Sequence, residues 1–249
     1  MFDHLRYLLL QVRNPDDPMR QHEVRSFARA LGVPPGQIRV FDMLAGRLGA
    51  RDLAGADVFL LGGSGHYSAA GEGEWLDRAL DSLRLVYETK QPTFASCWGF
   101  QALARALGGR VVKDLSHAEV GTHELCLTEA GKADPVFGPL GECFDAQMGH
   151  EDRVVELPPG AVRLAYSQLV ENQAYRFDDR PIYCTQFHPE LNRDDLFERV
   201  RVYPEYVERI AGLPPERFPE LLRDTDRTEA LLRRFVAHVF DGRQPGEGR

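Results

Sequence analysis

Residues 93–101 read TFASCWGFQ, which predicts a buried strand that ends at Cys97 and turns at once into a helix beginning near Trp98. In an α/β fold such a turn lies at the carboxyl edge of the sheet, and the free N–H groups of the next helix are directed towards it. Because a helix N-terminus favours negative charge, a cysteine at this turn is favoured as the thiolate. The stretch therefore predicts a nucleophile elbow that presents Cys97.

Residues 186–190 read QFHPE and supply a second part of the same chemistry. His188 and Glu190 are two residues apart, so on extended chain their side chains leave on the same face. Pro189 keeps His188 extended and ends the predicted strand. A cysteine, a histidine and a carboxylate form a nucleophile, a base and a group that orients the base. We therefore expect a thiol enzyme of the acyl-transfer kind, with Cys97, His188 and Glu190 as its catalytic residues.

A glycine-rich segment, residues 60–65 (LLGGSG), follows another predicted strand. Glycines at the carboxyl end of a strand let the chain turn sharply and offer N–H groups to an anion. The segment lacks the Lys-Ser/Thr pair of a phosphate-binding loop and the G-x-G-x-x-G pattern of a dinucleotide-binding loop. In a doubly wound sheet it emerges beside the Cys97 turn. We expect an oxyanion hole formed by the N–H groups of Gly63 and Trp98.

Strands and helices alternate in the first half of the chain, which predicts an α/β fold with a mainly parallel central sheet flanked by helices. Short strands without long helices follow from residue 111 to residue 187, and residues 193–240 are helical and charged. We expect a catalytic domain over residues 1–192 and a C-terminal helical extension over residues 193–240, packed on the same domain. Residues 241–249 are expected to form a flexible tail.

Composition narrows the classes of function. The chain has 249 residues and 43% hydrophobic content, enough for a full core, and its formal charge of −8 argues against a nucleic-acid partner. No apolar run is long enough to span a membrane, and the N-terminus does not resemble a signal peptide. The four cysteines show no C-x-x-C spacing, and three of them are expected in strands as small buried residues. These features predict a soluble cytoplasmic protein with reduced thiols.

The four segments together resemble the class I (triad) glutamine amidotransferase family. The family's elbow reads G-x-C-x-G-x-Q, its triad closes with H-P-E, its oxyanion loop reads S-G-G-P, and an S-H-G-D-like turn lies between elbow and triad. The matching segments of this chain are ASCWGFQ (95–101), HPE (188–190), LGGS (61–64) and GHED (149–152). Residues 154–158 (VVELP) further resemble the free-standing members, which include amidotransferases like that of GMP synthase and the plant γ-glutamyl peptidases.

This resemblance implies a flavodoxin-like fold and a complete mechanism. Cys97 attacks the side-chain amide of glutamine and forms a γ-glutamyl thioester, while His188 protonates the leaving ammonia and then activates water. The resemblance also implies substrate-binding roles, which fall on Gly62, Gln101, Gly149, His150 and Asp152. The chain departs from the family pattern at four positions of these motifs: Leu61, Ser64, Ala95 and Gly149. The departures concern the recognition of the substrate's α-carboxylate and α-amine and leave the triad intact.

Two further patterns have simpler interpretations. His66, His117 and His123 lack the spacing of metal ligands, so neither a metal nor an organic cofactor is expected. The charged run from residue 194 to residue 209 predicts a solvated helix. Its inward face is expected to contain four apolar residues: Phe197, Val200, Tyr203 and Val207.

Three functions are compatible with these residues. The first is a glutamine amidotransferase that hands ammonia to a synthetase on a separate chain, because this chain has no ATP-binding motif. The second is a free-standing γ-glutamyl hydrolase or peptidase, which needs no partner. The third is a non-enzymatic binding or regulatory module, which the intact Cys97, His188 and Glu190 disfavour. The sequence leaves open the acceptor, the oligomeric state and the role of the C-terminal helices.

Overall fold

A computed structural model describes residues 2 and 4–241 of the chain. The strands are β1 Tyr7–Val12, β2 Ile38–Asp42, β3 Val58–Ser64, β4 Thr93–Ser96, β5 Arg110–Lys113, β6 Glu119–Leu127, β7 Cys143–His150, β8 Asp152–Glu156, β9 Ala161–Tyr166, β10 Ala174–Phe177 and β11 Ile182–Thr185. The helices are α1 Met19–Leu31, α2 Ala50–Ala54, α3 Glu74–Thr89, α4 Trp98–Ala106, α5 Glu129–Ala133, α6 Arg193–Val202, α7 Asp226–Glu229 and α8 Leu231–Asp241. No described helix is both long enough and apolar enough to cross a membrane.

The central sheet contains nine strands in the order β2-β1-β3-β4-β11-β10-β9-β6-β7. The first five strands of this order pair in parallel, and the remaining pairings are antiparallel. A separate two-stranded sheet pairs β5 with β8. The predicted α/β class is confirmed. The strand that leads into the Cys97 turn, β4, belongs to the parallel half of the sheet.

Helices cover both faces of the sheet, so its central strands are apolar along their whole length. On β1, for example, Tyr7 and Leu9 join one hydrophobic cluster while Leu8 and Leu10 join the other. This alternation follows from the two-residue period of a strand. The first cluster lies under α1 and α8, and the second lies under α3 and α4.

The C-terminal extension begins with α6, whose first turn is capped by Asn192 through a hydrogen bond from the Asp195 N–H to Oδ1 at 2.7 Å. A π-helical turn, Val207–Ala211, and a 3₁₀ segment, Pro215–Leu221, follow before α7 and α8. A third hydrophobic cluster joins this extension to the start of β6, and its buried members are Val120, Leu191, Leu196, Val200, Val207, Phe218 and Leu222.

The charged run does not form the single solvated helix that was predicted, because α6 ends at Val202, a π-helical turn begins at Val207, and Arg199 is buried. The residues predicted to face inward mostly do so. Val200, Tyr203 and Val207 are buried, whereas Phe197 is half-buried against the third cluster. Residues 242–249 of the predicted flexible tail lie outside the described residues, and Asp241 is the last residue of α8.

The expectations for the end of the last parallel strand and for the thiols were also wrong. The last strand of the parallel half, β11, ends at Thr185 and does not continue to Pro189, so His188 and Glu190 follow the strand in a turn. The expectation that all thiols are reduced fails for Cys126 and Cys143, which form a disulfide. Antiparallel pairing of β6 with β7 places these two cysteines directly opposite each other, a register that cysteine spacing alone does not reveal.

Candidate active site

Cys97 occupies a strained turn between β4 and α4. Its backbone has φ 52° and ψ −106°, a region that residues other than glycine rarely adopt. Its N–H donates to the Thr185 carbonyl at 2.8 Å, which anchors the turn to the neighbouring strand. At Gly99 a Cβ atom would collide with the side chain of Leu61, so glycine allows α4 to lie close against β3. The thiol is therefore held at the sheet edge by covalent geometry and close packing.

His188 and Glu190 form the second part of the site and lie in the turn after β11. The His188 N–H donates to the Gln147 carbonyl at 2.9 Å, and the Leu191 N–H closes the turn onto the His188 carbonyl at 3.2 Å. The His188 Nδ1 lies 2.6 Å from Glu190 Oε1, and both side chains are almost fully buried. This turn, and not extended chain, brings the imidazole and the carboxylate together.

The charge of this pair follows from its surroundings. Burial lowers the pKa of His188, but the carboxylate of Glu190 and the charge and hydrogen bond of Cys97 outweigh burial and raise that pKa to about 9. Burial raises the pKa of Glu190, yet His188 and the Arg199 guanidinium hold it below its usual range. At neutral pH the resting pair is therefore an imidazolium and a carboxylate, with the Nδ1–H donating to Glu190.

Gly62 and Gly63 were predicted in a loop after the strand but are part of β3, which continues to Ser64, and Gly63 lies directly beside the imidazole. We keep the name glycine loop for residues 62–65. A Cβ atom on Gly63 would stand 3.0 Å from Cε1 of His188, and one on Gly62 would collide with the carboxylate of Glu23. Neither position therefore has space for a side chain. Trp98 is the first residue of α4, so its N–H has no partner within the helix. Gly63 and Trp98 thus flank Cys97 from two different elements.

Cys97 borders two cavities, which we call the outer cleft and the inner cavity. The outer cleft has a volume of about 230 Å³ and is polar. Its lining residues are Ser64, Gly65, His66, Tyr67, Ser68, Cys97, Trp98, Gln101, Lys113, Gly149, His150, Glu151, Asp152, Glu205, Tyr206 and Arg209. Four of the five predicted substrate-binding residues thus border one cleft, and Gly62 is absent from its lining.

Hydrogen bonds within the protein fix the turn that carries three of these residues. Gln101 Nε2 donates to the Asp152 carbonyl at 2.9 Å and lies 3.2 Å from Gln186 Oε1. The Asp152 carboxylate accepts from the Ser68 hydroxyl at 2.5 Å. The Cys97 Sγ lies 3.7 Å from the Gly149 carbonyl. The turn is therefore fixed by hydrogen bonds and lies against Cys97.

His150 is engaged by the protein at both ring nitrogens. Nδ1 lies 3.0 Å from the Asp152 carbonyl, and Nε2 lies 3.0 Å from the Glu119 carboxylate. Burial raises the pKa of Glu119, but the hydrogen bond and charge of His150 hold it below its usual value. The ring is therefore held at both nitrogens by the protein and lies beneath the turn.

The inner cavity has a volume of about 40 Å³ and contains residues that the sequence did not single out as functional. Its lining residues are Arg13, Gly63, Ser64, Gly65, Cys97, Val120, Gly149, His188, Leu196, Arg199, Val200, Tyr203 and Tyr206. Arg13 comes from the end of β1, while Arg199, Tyr203 and Tyr206 come from the C-terminal extension. In the sequence, the charged run around Arg199 is indistinguishable from a solvated helix face.

The extension also closes over the site. The Tyr206 hydroxyl donates to the Gly65 carbonyl at 3.3 Å, and Arg209 forms an ion pair with Glu151. Lys113 contacts the other oxygen of the Glu151 carboxylate at 2.8 Å. Burial and the nearby charge of Cys97 raise the pKa of Tyr206, so its hydroxyl stays protonated as a donor. The extension is therefore attached to both the glycine loop and the turn that carries Gly149.

The described residues contain one group whose possible metal-ligand atoms all lie within 4.8 Å of one another. It consists of Glu124, Cys126 and Cys143, at the far end of the β6–β7 pair. The two sulfurs are joined in the disulfide, so they are not available as thiolate ligands. His66 borders the outer cleft but belongs to no such group.

The site thus combines a cysteine on a strand-to-helix turn, a histidine paired with a carboxylate and two glycines that border the imidazole. Residues 39–195 match the family model described as "Glutamine amidotransferase class-I". The chain belongs to this family. It is 31% identical over 264 residues to gamma-glutamyl peptidase 4 of Arabidopsis thaliana, covering 98% of each chain. It is 31% identical over 130 residues to one subunit of the glutamine-hydrolyzing GMP synthase of Methanothermobacter thermautotrophicus, covering 52% of this chain and 68% of that one.

Solved structures agree on the fold. A glutamine amidotransferase from Thermotoga maritima has a TM-score of 0.74 at 21% identity, covering 94% of this chain and 97% of that one. A glutamine amidotransferase from Methylobacillus flagellatus has a TM-score of 0.71 at 21% identity, covering 98% of both chains. These neighbours share the architecture over nearly the whole chain, including the C-terminal helices.

Proposed function

We propose that this protein hydrolyses γ-glutamyl amide bonds through a thioester on Cys97. The observation that carries the proposal is the buried pair of His188 and Glu190 beside the strained Cys97 turn, where the Nδ1–Oε1 distance is 2.6 Å. Glutamine is the simplest substrate of this class, and its amide releases ammonia. No metal or organic cofactor is needed for the reaction.

The steps follow from the charges of the site. The Cys97 thiolate attacks the γ-carbonyl carbon, and the N–H groups of Gly63 and Trp98 stabilise the tetrahedral oxyanion. The C–N bond then breaks, and the leaving nitrogen takes a proton from Nε2 of His188. Neutral His188 next removes a proton from water, which attacks the thioester carbon. Collapse of the second intermediate releases glutamate and restores the thiolate and the imidazolium.

Glu190 holds His188 in the orientation and tautomer that this sequence of steps requires, because it fixes Nδ1. We assign the substrate's α-amine and α-carboxylate to the backbone of the turn formed by residues 149–152. In this assignment Gln101 and His150 act by fixing the turn, since their polar groups contact the protein.

Two destinations for the leaving nitrogen are proposed. Likeness to a GMP synthase chain suggests transfer of ammonia to a synthetase on another chain, but that likeness covers only 52% of this chain. Likeness to a γ-glutamyl peptidase covers 98% and includes the extension, which favours a free-standing hydrolase. The proposed cytoplasmic location stays a prediction, because the disulfide of Cys126 and Cys143 is typical of oxidising compartments.

The test is release of glutamate from L-glutamine and from a γ-glutamyl dipeptide by the purified chain. Cys97→Ala is expected to abolish both activities, while Cys184→Ser keeps them and serves as the matched control. Cys184 is also a free thiol, but burial raises its pKa and it lies in β11 away from both cavities. Failure of the glutamine-like electrophile diazo-oxo-norleucine to label Cys97 in the folded protein would refute the proposal.

Two further measurements distinguish ammonia transfer to a synthetase from free-standing hydrolysis. Copurification with a synthetase, together with glutamine turnover that rises when the synthetase is added, would favour the amidotransferase. Turnover of a dipeptide by the isolated chain at a higher kcat/KM than glutamine would favour the free-standing hydrolase.

A further inference from the structure

With Cys97 as the nucleophile, as proposed above, the two parts of the substrate bind in different cavities. Cys97 borders both cavities, whereas His188 borders only the inner cavity. The group that protonates the leaving nitrogen must lie within hydrogen-bond reach of it. The leaving amine therefore occupies the inner cavity, and the γ-glutamyl part of the substrate occupies the outer cleft.

Arg199 gives the inner cavity a positive charge, and the charge that it is shown to act on is the carboxylate of Glu190. The residue is only 8% exposed, and its Nε and Nη2 have no hydrogen-bond partner among the described residues. Nη1 lies 3.4 Å from Nδ1 of His188, but that nitrogen donates its own proton to Glu190 and cannot accept another. Nε and Nη2 have almost no accessible surface, and Oε2 of Glu190 is likewise buried without a hydrogen-bond partner. Nη1 lies beside the cavity wall, 3.6 Å from the position of a Cβ on Gly63. Burying a guanidinium donor without an acceptor is costly, so a partner for Nη1 is expected in the complex with substrate.

The other cationic side chain of the cavity is fully used by the protein. Arg13 donates to the Glu23 carboxylate at 3.2 Å and to Asp17 and the Tyr203 hydroxyl at 3.3 and 3.1 Å. The Tyr203 hydroxyl in turn donates to Asp17 at 2.6 Å. Of the two arginines that line the cavity, Arg199 is therefore the one without a hydrogen bond to a carboxylate.

The remaining walls limit the size and polarity of the occupant. Val120, Leu196 and Val200 provide apolar surface around the guanidinium. A volume of about 40 Å³ holds roughly three water-sized groups at about 10–15 Å³ each. A carboxylate attached to the amine nitrogen through one carbon fits such a space, whereas a large side chain does not. A guanidinium N–H and a carboxylate oxygen form a charge-assisted hydrogen bond, which is stronger than one between neutral groups.

We propose that Arg199 binds the α-carboxylate of an amino-acid leaving group, so that the preferred substrates are γ-glutamyl amino acids with a small second residue. In the acylation step the bond between the γ-carbonyl carbon and the amino acid's nitrogen breaks. His188 supplies the proton to that nitrogen, and the amino acid leaves with its carboxylate intact. Arg199 is then a binding residue that contributed no signal in the sequence.

The experiment compares γ-glutamylglycine with γ-glutamylglycinamide, which has nearly the same shape but no carboxylate. The wild-type protein is expected to prefer the carboxylate by about tenfold to a hundredfold in kcat/KM, the range for a hydrogen bond to a charged group. Arg199→Gln is expected to bring the ratio close to one, and Arg199→Lys to retain part of it. Arg201→Gln, an exposed arginine of the same helix, is the matched control and keeps the wild-type ratio.

The ratio separates substrate binding from effects on the triad. Both dipeptides use the same His188 and Glu190, so any influence of Arg199 on those groups cancels. Equal kcat/KM values for the two dipeptides in the wild-type protein, or an unchanged ratio in Arg199→Gln, would overturn the inference. Glutamine turnover and labelling of Cys97 are measured beside them. If these fail as well, the proposed function fails, and if they persist, only the carboxylate site fails.

Discussion

Replacing Gly63 with alanine is expected to impair catalysis while preserving the fold. The added Cβ would stand 3.0 Å from Cε1 and 3.7 Å from Nε2 of His188. Carbon atoms pack at about 3.5–4.0 Å, so the imidazole or the loop must move by about 0.5–1 Å. The imidazole has little freedom to move, because it is 2% exposed and bound to Glu190 at 2.6 Å.

The size of the effect follows from this displacement. A misplacement of about 1 Å in a catalytic group costs on the order of a hundredfold in rate, so kcat/KM is expected to fall about tenfold to a hundredfold. The substitution also crowds the site and is expected to destabilise the protein by about 1–3 kcal/mol. Gly63 has no positive φ, so alanine introduces no backbone strain there.

The assay is steady-state glutamate release from L-glutamine and a γ-glutamyl dipeptide, with thermal unfolding measured in parallel. Gly36→Ala is the control, because a Cβ at Gly36 meets no atom within 4 Å. If Gly63→Ala keeps kcat/KM within about threefold of the wild-type value, the loop does not press on the imidazole and the reasoning is refuted.

Three other predictions concern charge, cross-linking and closure. The pKa of His188 is raised from 6.5 to about 9, so its contribution to stability is full below about pH 6.5 and is lost as pH rises through about 9. The alkaline limb of kcat/KM is therefore expected near pH 9. Glu190→Gln should move this limb to lower pH, because burial then lowers the pKa of His188 without a carboxylate to raise it. An unmoved limb in a pH–rate profile would contradict this. Reduction of the disulfide between Cys126 and Cys143 is expected to lower the free energy of unfolding by about 3 kcal/mol. Equal midpoints in denaturant unfolding of the oxidised and the reduced protein would contradict this. Tyr206→Phe removes a hydrogen bond to the glycine loop and is expected to raise KM about fivefold in steady-state assays, whereas an unchanged KM would exclude a role in closure.

The sequence predicted the parts of the site that depend on local chain geometry. A buried apolar strand followed at once by Cys97, Trp98 and Gly99 admits few conformations other than a sharp strand-to-helix turn. The role of the glycines was also local, because glycines allow a neighbouring group to approach the backbone closely, although Gly62 and Gly63 lie inside β3 and not after it. The α/β class followed from the alternation of such strands with amphipathic helices.

Long-range contacts account for what the sequence did not reveal. Arg13 and Arg199 are far apart in the chain and meet only because α6 folds back over the sheet edge. Nothing in a charged helical run distinguishes a buried arginine from its solvated neighbours. The disulfide of Cys126 and Cys143 likewise depends on strand register, and the turn at His188 depends on a hydrogen bond that closes after the strand has ended.

A covalent γ-glutamyl group on Cys97 is the central claim, and mass spectrometry after rapid acid quench tests it most directly. The wild-type protein is mixed with a γ-glutamyl dipeptide, quenched within one turnover, and digested under acidic conditions. The account predicts the mass of one γ-glutamyl group on the peptide that contains Cys97 and none on the peptide that contains Cys184. Hydrolysis that continues in Cys97→Ala, or turnover of the wild-type protein without any adduct on Cys97, would contradict it.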